Sequence, residues 1–242
     1  MPRSVPLRDV PAVVLCGGKG TRLGEHTKRV PKPMITIGGQ PVLWHLVRYY
    51  ASFGVRRFIL CLGYKADVIR AWAERHPIPG VDVLCADTGE EAMTGSRVKR
   101  VAHHVDGAPF FLTYGDGLGT VALDELLDFH LDHGGAVTLT GVHPPPRFGE
   151  LDIDGDSVVG FAEKPPSDQW INGGFFACTP RLLDELDDDD SCVLEREPFE
   201  RLAKSGELRI WRHEGYWQCM DTVADHEALE TAWRASAPWK RW

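Results

Sequence analysis

The chain has 242 residues, 43% of them hydrophobic, and a formal net charge of −8 from 27 Lys and Arg against 35 Asp and Glu. That length supports one sizeable core, or a core with a small appended lobe. No basic stripe and no long apolar run occurs, which excludes a nucleic-acid footprint and a membrane span and leaves small molecules as the expected partners.

Residues 12–16 are a short apolar run that reads as a buried strand. The run enters Gly17-Gly18-Lys19-Gly20-Thr21-Arg22, a glycine-rich loop carrying a hydroxyl and a guanidinium. Glycines let backbone N–H groups approach phosphate oxygens, so the loop is read as a polyphosphate cradle. Gly20 follows Lys19 where a Walker A loop needs Ser or Thr, and Leu23 holds the third glycine place of the dinucleotide fingerprint. An ordinary glycine turn is the alternative. Lys32 then lies between Pro31 and Pro33, which stiffen the backbone that presents its ammonium.

From there strand and helix alternate. The patterns predict helices over 42–53, 66–75, 97–105 and 123–130, and strands over 57–62, 81–85, 110–114 and 136–141. Such alternation implies an α/β fold, a Rossmann-like three-layer arrangement around a mostly parallel sheet. Ligands in such sheets bind beyond the carboxyl ends of the strands, where the loops after Cys16 and Tyr114 lie. Asp116, between Gly115 and Gly117, is placed there to hold Mg²⁺ or simply to make a turn. The polar segment 87–97 either contacts base and ribose, offering Arg97 to a phosphate, or caps the next helix. His130 and His133 lack a third ligand and are read as a solvated face.

After about residue 143 the texture changes. Residues 151–153 and 158–163 flank Asp154-Gly155-Asp156, a hairpin signal. Glu163-Lys164-Pro165 repeats the lysine-before-proline device. Asn172, beside Gly173 and Gly174 at the start of a strand over 171–178, can orient sugar hydroxyls or make an Asn-Gly turn. A strand over 208–211 and helices near 180–186, 195–204 and 222–235 complete a small mixed-sheet and helical extension, with no linker dividing it from the first half. Asp221 is either a second metal carboxylate or the N-cap of the last helix. The six cysteines are widely spaced without C-x-x-C, which predicts buried thiols. The first nine residues have no apolar signal core, which gives a cytoplasmic expectation.

In order, L-C-G-G-K-G-T-R-L (15–23), P-K-P-M (31–34), Y-G-D-G (114–117), E-K-P (163–165), I-N-G-G-F-F (171–176) and M-D-T (220–222) resemble the sugar-1-phosphate nucleotidylyltransferases. The blocks at 87–101, 195–202 and 237–242 resemble the branch acting on CTP and glucose 1-phosphate. The resemblance implies one transferase domain over 1–242, with a nucleotide-binding half at 12–142 and a sugar-phosphate half at 143–242. The reaction it implies joins CTP and α-D-glucose 1-phosphate into CDP-glucose and pyrophosphate, with Mg²⁺ as cofactor. Another nucleotide such as GTP or dTTP, or a modified sugar 1-phosphate, is the alternative, and a non-catalytic binding subunit is a third reading.

By the same resemblance Arg22, Lys32, Asp116 and Lys164 are catalytic, and Asp116 and Asp221 hold the metal. Leu15, Gly17, Gly18, Gly20, Thr21 and Gly115 hold the nucleotide phosphates, and Met93, Thr94, Gly95 and Arg97 complete the nucleotide side. Gly149, Glu163, Lys164, Asn172 and Trp217 take the sugar phosphate. A homo-oligomer is implied, with no membrane and no nucleic acid. Three departures from the family pattern stand out: a short 77–80 connection, the extra residues 1–11, and Glu150 in place of a common alanine.

Overall fold

The computed structural model describes residues 5–20, 24, 30–144, 148–165 and 168–242. Strand β1 (Ala12–Leu15) is followed by a 3₁₀ turn at Lys32–Met34 and by the small ladder of β2 (Thr36–Ile37) and β3 (Gln40–Pro41). Next come α1 (Val42–Ser52), β4 (Arg57–Leu62), α2 (Ala66–Arg75), β5 (Asp82–Asp87), α3 (Thr94–Arg100) and β6 (Phe110–Tyr114). Then β7 (Gly117–Gly119), α4 (Leu123–His133) and β8 (Val137–Val142) lead to the hairpin of β9 (Glu150–Asp154) and β10 (Ser157–Ala162). The chain ends with β11 (Ile171–Cys178), α5 (Arg181–Asp184), α6 (Glu197–Lys204), β12 (Leu208–Arg212), β13 (Trp217–Cys219) and α7 (Val223–Ala235).

Seven strands form the main sheet in the order β12-β8-β11-β6-β1-β4-β5. β11 alone runs against its neighbours, antiparallel to both β6 and β8, so the sheet is mixed but mostly parallel. From β1 the chain winds outward through β4 to β5, then returns to β6 on the other side of β1. That reversal is where open α/β sheets form their ligand crevice. β11 and β12 enter the main sheet itself. Among the described later strands, only β9 and β10 of the hairpin and β13, which pairs with β7, stand outside it.

The apolar alternation along β1 divides the core. Ala12, Val14 and Cys16 face a cluster containing Leu46, Tyr50, Phe111, Leu126, Phe175 and Leu229, which buries α1, α4 and α7. Val13 and Leu15 face a second cluster with Val98, Leu112, Leu182, Phe199 and Leu202, which buries α3, α5 and α6. The closing Ala-Pro-Trp-Lys-Arg-Trp segment belongs to the first face. Trp239 is fully buried and its indole N–H donates to His45 Nδ1 at 3.3 Å, while His45 Nε2 lies 2.8 Å from Ile37 O. Indole can only donate, so His45 carries its proton on Nε2 and gives it to that carbonyl.

Two expectations change. The helix predicted over 97–105 starts earlier and stops sooner, with α3 at Thr94–Arg100 followed by a 3₁₀ turn at Ala102–His104. Its first turn includes Gly95, which has the sequence signature of a breaker; the Gly95 N–H donates to Cys192 O at 2.9 Å, and a Cβ there would meet Cys192 Sγ at 2.5 Å. His130 is not on a solvated face. It is fully buried, with Nδ1 2.9 Å from Thr138 Oγ1, and His133 Nε2 approaches the same hydroxyl at 2.6 Å. All six cysteines are free thiols; Cys16, Cys61 and Cys178 are buried as expected, while Cys85, Cys192 and Cys219 are only half-buried. No described helix is long and apolar enough to cross a membrane.

Candidate active site

A cavity of about 620 Å³ opens at the carboxyl ends of β1 and β6, within the range of small-molecule sites. Leu15, Gly17, Gly18 and Gly20 form one wall and Gly115 and Asp116 the floor. Close packing holds these loops together. The Gly115 N–H donates to Leu15 O at 3.0 Å, and a Cβ on Gly115 would stand 3.2 Å from Pro33 Cγ. Met93 and Thr94 line the next side, and Asn172, Gly174 and Trp217 the opposite one. The Trp217 indole N–H donates to Gly173 O at 2.7 Å, fixing that wall to the start of β11.

The charged centre follows from one small ladder. β7 leaves directly after Asp116, and β13 arrives directly before Met220 and Asp221; the two strands pair with Gly117 opposite Cys219. The Met220 N–H donates to Asp116 O at 3.0 Å. Two carboxylates 105 positions apart in the chain are thereby brought onto one cation. Lys32 reaches both, with Nζ 2.6 Å from Asp221 Oδ1 and in direct contact with Asp116 Oδ2. Burial opposes the ammonium charge, but Asp116 and Asp221 outweigh it and the Lys32 pKa is raised. The 3₁₀ turn at Lys32–Met34, with Pro31 before it and Pro33 inside it, presents the side chain.

A family profile described as Nucleotidyl transferase matches residues 11–218. The chain belongs to the nucleotidyl transferase family. This transferase is 43% identical to the glucose-1-phosphate cytidylyltransferase of Salmonella typhi over 96% of its own length and 99% of that protein. It is 36% identical to a probable glucose-1-phosphate cytidylyltransferase of Bacillus subtilis (strain 168), over 96% and 99% of the two chains. Its fold is similar to crystal structures of HddC from Yersinia pseudotuberculosis, with a TM-score of 0.74, 26% identity and coverage of 93% and 99%. HddC has also been crystallised with GMP-PN.

In the transferase the competing roles of Asp221 separate. The last helix is capped by Thr222 instead: the Asp225 N–H donates to Thr222 Oγ1 at 3.2 Å, and the Thr222 N–H donates to Asp225 Oδ2 at 2.8 Å. This capping box leaves the Asp221 carboxylate to Lys32.

Arg97 lines the cavity, but its guanidinium is directed into the protein. NH1 donates to Leu62 O, Thr88 Oγ1 and Gly89 O, and NH2 donates to Gly17 O and Glu90 O. The expected guanidinium offered to a phosphate is a clamp between the phosphate loop and segment 88–90. Gly17 is required for it, since a Cβ there would stand 2.1 Å from NH1. Across the same gap Lys19 Nζ pairs with Glu91 Oε1 at 2.7 Å.

Several sequence-predicted residues do not reach the cavity. Gly95 packs on Cys192. Gly149, Glu163 and Lys164 sit at the foot of the β9–β10 hairpin, outside the cavity lining. A Cβ on Gly149 would stand 3.2 Å from Glu163 Oε2, and Lys164 Nζ is 3.5 Å from Glu163 Oε1. Glu150 is exposed on the first strand of that hairpin. Thr21 and Arg22 lie outside the described residues. The wall also includes Cys16, Pro33 and Tyr114, to which the sequence pattern assigns no contact with a ligand. Tyr114 had a signal, since it ends the strand that delivers Asp116.

Among the described residues no cluster of three or more His, Cys, Asp or Glu stands ready as a metal cage. Mg²⁺ is a hard cation that is commonly held by one or two carboxylates plus substrate phosphates. Asp116 and Asp221 fit that donor set, and they lie close enough together to share one ammonium.

Proposed function

We propose that the chain joins CTP and α-D-glucose 1-phosphate into CDP-glucose and pyrophosphate. The observation that carries the chemistry is Lys32 held between Asp116 and Asp221 beside the glycine loop. The choice of substrates rests on likeness to relatives of that name. A phosphate oxygen of the sugar phosphate attacks the α-phosphorus in line. A new O–P bond forms, the bond to the bridging oxygen of the β-phosphate breaks, and pyrophosphate leaves with the electron pair. Such a transfer needs positioning and charge neutralisation rather than a covalent intermediate.

Backbone of Gly17, Gly18 and Gly20, with Leu15, Thr21 and Gly115, cradles the nucleotide phosphates. Lys32 neutralises the α-phosphate and the leaving group, and Arg22 holds the departing phosphates. Asp116 and Asp221 hold Mg²⁺, which when bound supplies further neutralisation of the phosphates. Met93 and Thr94 face base and ribose, and Gly95 and Arg97 support that side from behind. Asn172 and Trp217 orient the sugar. For Lys164 as partner of the sugar phosphate, and for Gly149 and Glu163 beside it, the support is the sequence pattern alone.

The whole chain acts as one transferase domain, with its nucleotide half over 12–142 and its sugar half over 143–242. Self-association is part of the proposal. Leu151 pairs with Phe161 and Ile153 with Val158 across the hairpin, and these four residues are 51–66% exposed on one face. A two-stranded ribbon with a bare apolar face needs a cover, and a second copy is the occupant proposed. A cytoplasmic location is proposed with it.

The same chemistry with a guanine nucleotide is the second reading, favoured by likeness to the HddC complex with GMP-PN. Incubating the full chain with CTP, glucose 1-phosphate and Mg²⁺ tests the reading. Pyrophosphate release that requires both substrates, with a product of the mass of CDP-glucose, is the expected result. Binding of both without pyrophosphate release would leave only the non-catalytic subunit.

A further inference from the structure

Glu195 stands outside the cavity lining, on the exposed segment before α6, yet both of its carboxylate oxygens are engaged by residues of that lining. Thr94 Oγ1 donates to Oε2 at 2.6 Å, and the Tyr114 hydroxyl donates to Oε1 at 2.5 Å. Each hydroxyl is then completed from its other side. The Leu194 N–H donates to Thr94 Oγ1 at 3.0 Å. Asn172 Nδ2 donates to the Tyr114 oxygen at 3.1 Å, and the Gly174 N–H donates to Asn172 Oδ1 at 2.8 Å. The β11 backbone allows this approach because Gly174 has φ +77°, and a Cβ there would stand 2.4 Å from the Tyr114 ring.

The direction of every proton in this chain follows from Glu195. An ionised carboxylate only accepts, so both hydroxyls must donate to it and turn their lone pairs away. The Tyr114 lone pair then selects the NH₂ end of Asn172, and the Gly174 N–H confirms the amide orientation from the other end. Burial, and next Glu195, raise the Tyr114 pKa, which keeps the phenol a donor. Thr94, a residue of the cavity wall, has its hydroxyl proton committed to Glu195.

We infer that Glu195 is a positioning residue that orients the sugar-facing amide of Asn172 and the nucleotide-facing hydroxyl of Thr94 together, and so sets the register between the two substrates. The inference rests on the transferase reading above for the identity of those substrates. One carboxylate serving both walls has a consequence that packing alone lacks: each branch can be cut separately.

The test uses the full chain and variants E195Q, Y114F, T94V and T94S. Each substrate is varied at saturation of the other, and calorimetric Kd values are taken for CTP and for glucose 1-phosphate in the presence of a non-hydrolysable CTP analogue. Thermal unfolding of each variant is followed alongside. E195Q is expected to weaken both substrates by about tenfold, the effect of roughly one lost hydrogen bond per branch. Y114F is expected to weaken only the sugar phosphate and T94V only the nucleotide, while T94S, which keeps the hydroxyl, is expected to recover most of the nucleotide affinity that T94V loses. Unchanged Kd and KM values in E195Q overturn the inference, as does a loss confined to one substrate or branch variants that weaken both substrates alike. A wild-type chain that binds both ligands but releases no pyrophosphate overturns the transferase reading instead, and the Kd comparison still decides the role of Glu195.

Discussion

Lys32 is held by two carboxylates in the protein alone, although its proposed work is on phosphate. Nucleotide brings its own negative charge into that centre, so the ammonium has partners before and during the reaction. Replacing Lys32 by Ala removes a cation beside developing charge, a loss worth about 2–4 kcal/mol in the transition state. At saturating substrates kcat is expected to fall by about two to three orders of magnitude, while the chain stays folded with a lowered melting temperature, since Asp116 and Asp221 lose their shared cation. Unchanged turnover would remove the assigned role.

The neighbouring carboxylates make a sharper contrast. Thr222→Ala breaks the capping box and is expected to lower stability by about 1 kcal/mol without altering the Mg²⁺ requirement. Asp221→Asn should do the reverse, raising the Mg²⁺ concentration needed for half-maximal rate with little change in melting temperature. Sequence alone left Asp221 balanced between metal ligand and helix cap, because both roles call for a carboxylate just before an apolar helix. The neighbour Thr222, with Asp225 three positions on, was the signal that separates them.

At the scale of elements, α4 carries a built-in acid sensitivity. Burial, then His133 and Arg181, lower the His130 pKa to about 4 from 6.5. Its Nε2 is buried with no hydrogen-bond partner among the described residues, so a proton there would have no acceptor. The folded state therefore binds fewer protons than the unfolded state between these values. Stability is complete above about pH 6.5 and declines as pH falls toward 4, by up to about 3 kcal/mol from this residue. His45 and His213 are lowered by burial too and add in the same direction. Melting temperatures measured from pH 7 to pH 4.5 should drop, and His130→Asn should flatten part of that drop. An equal slope in the variant would assign the effect elsewhere.

Other elements show where periodicity suffices. The bounds of β4, α2, β6 and β11 agree with the sequence reading, because the three strands are mostly buried apolar runs and each of the four elements is closed by a nearby Gly or Pro. The reading erred at α3, where Gly95 is helical only because segment 189–194 packs on it. It also missed β2 and β3, two residues each, which are too short to carry a period.

For the whole molecule, the α/β class and the cation-bearing loops were legible because each is local: a strand, its glycines, the lysine between prolines. What was hidden is long-range. Nothing in the run from Ile171 to Cys178 says that it inserts between β6 and β8 and reverses the sheet. Nothing in Tyr114 or Glu195 alone says that they meet. Arg97 illustrates the same limit at the site, since a guanidinium in a polar loop has one sequence signature whether it meets phosphate or five protein oxygens. The family likeness and the geometry agree on nucleotidyl transfer, and the choice of base is the finest claim built on them.

That claim is tested most directly by kcat/KM for CTP, UTP, dTTP, GTP and ATP, each with glucose 1-phosphate and Mg²⁺, with product masses recorded. A site that hydrogen-bonds the cytosine edge leaves polar groups unpaired when uracil enters, so discrimination is expected to be on the order of a hundredfold or more. The account predicts that CTP leads the series by that margin and yields CDP-glucose. A clear preference for GTP or dTTP would contradict it.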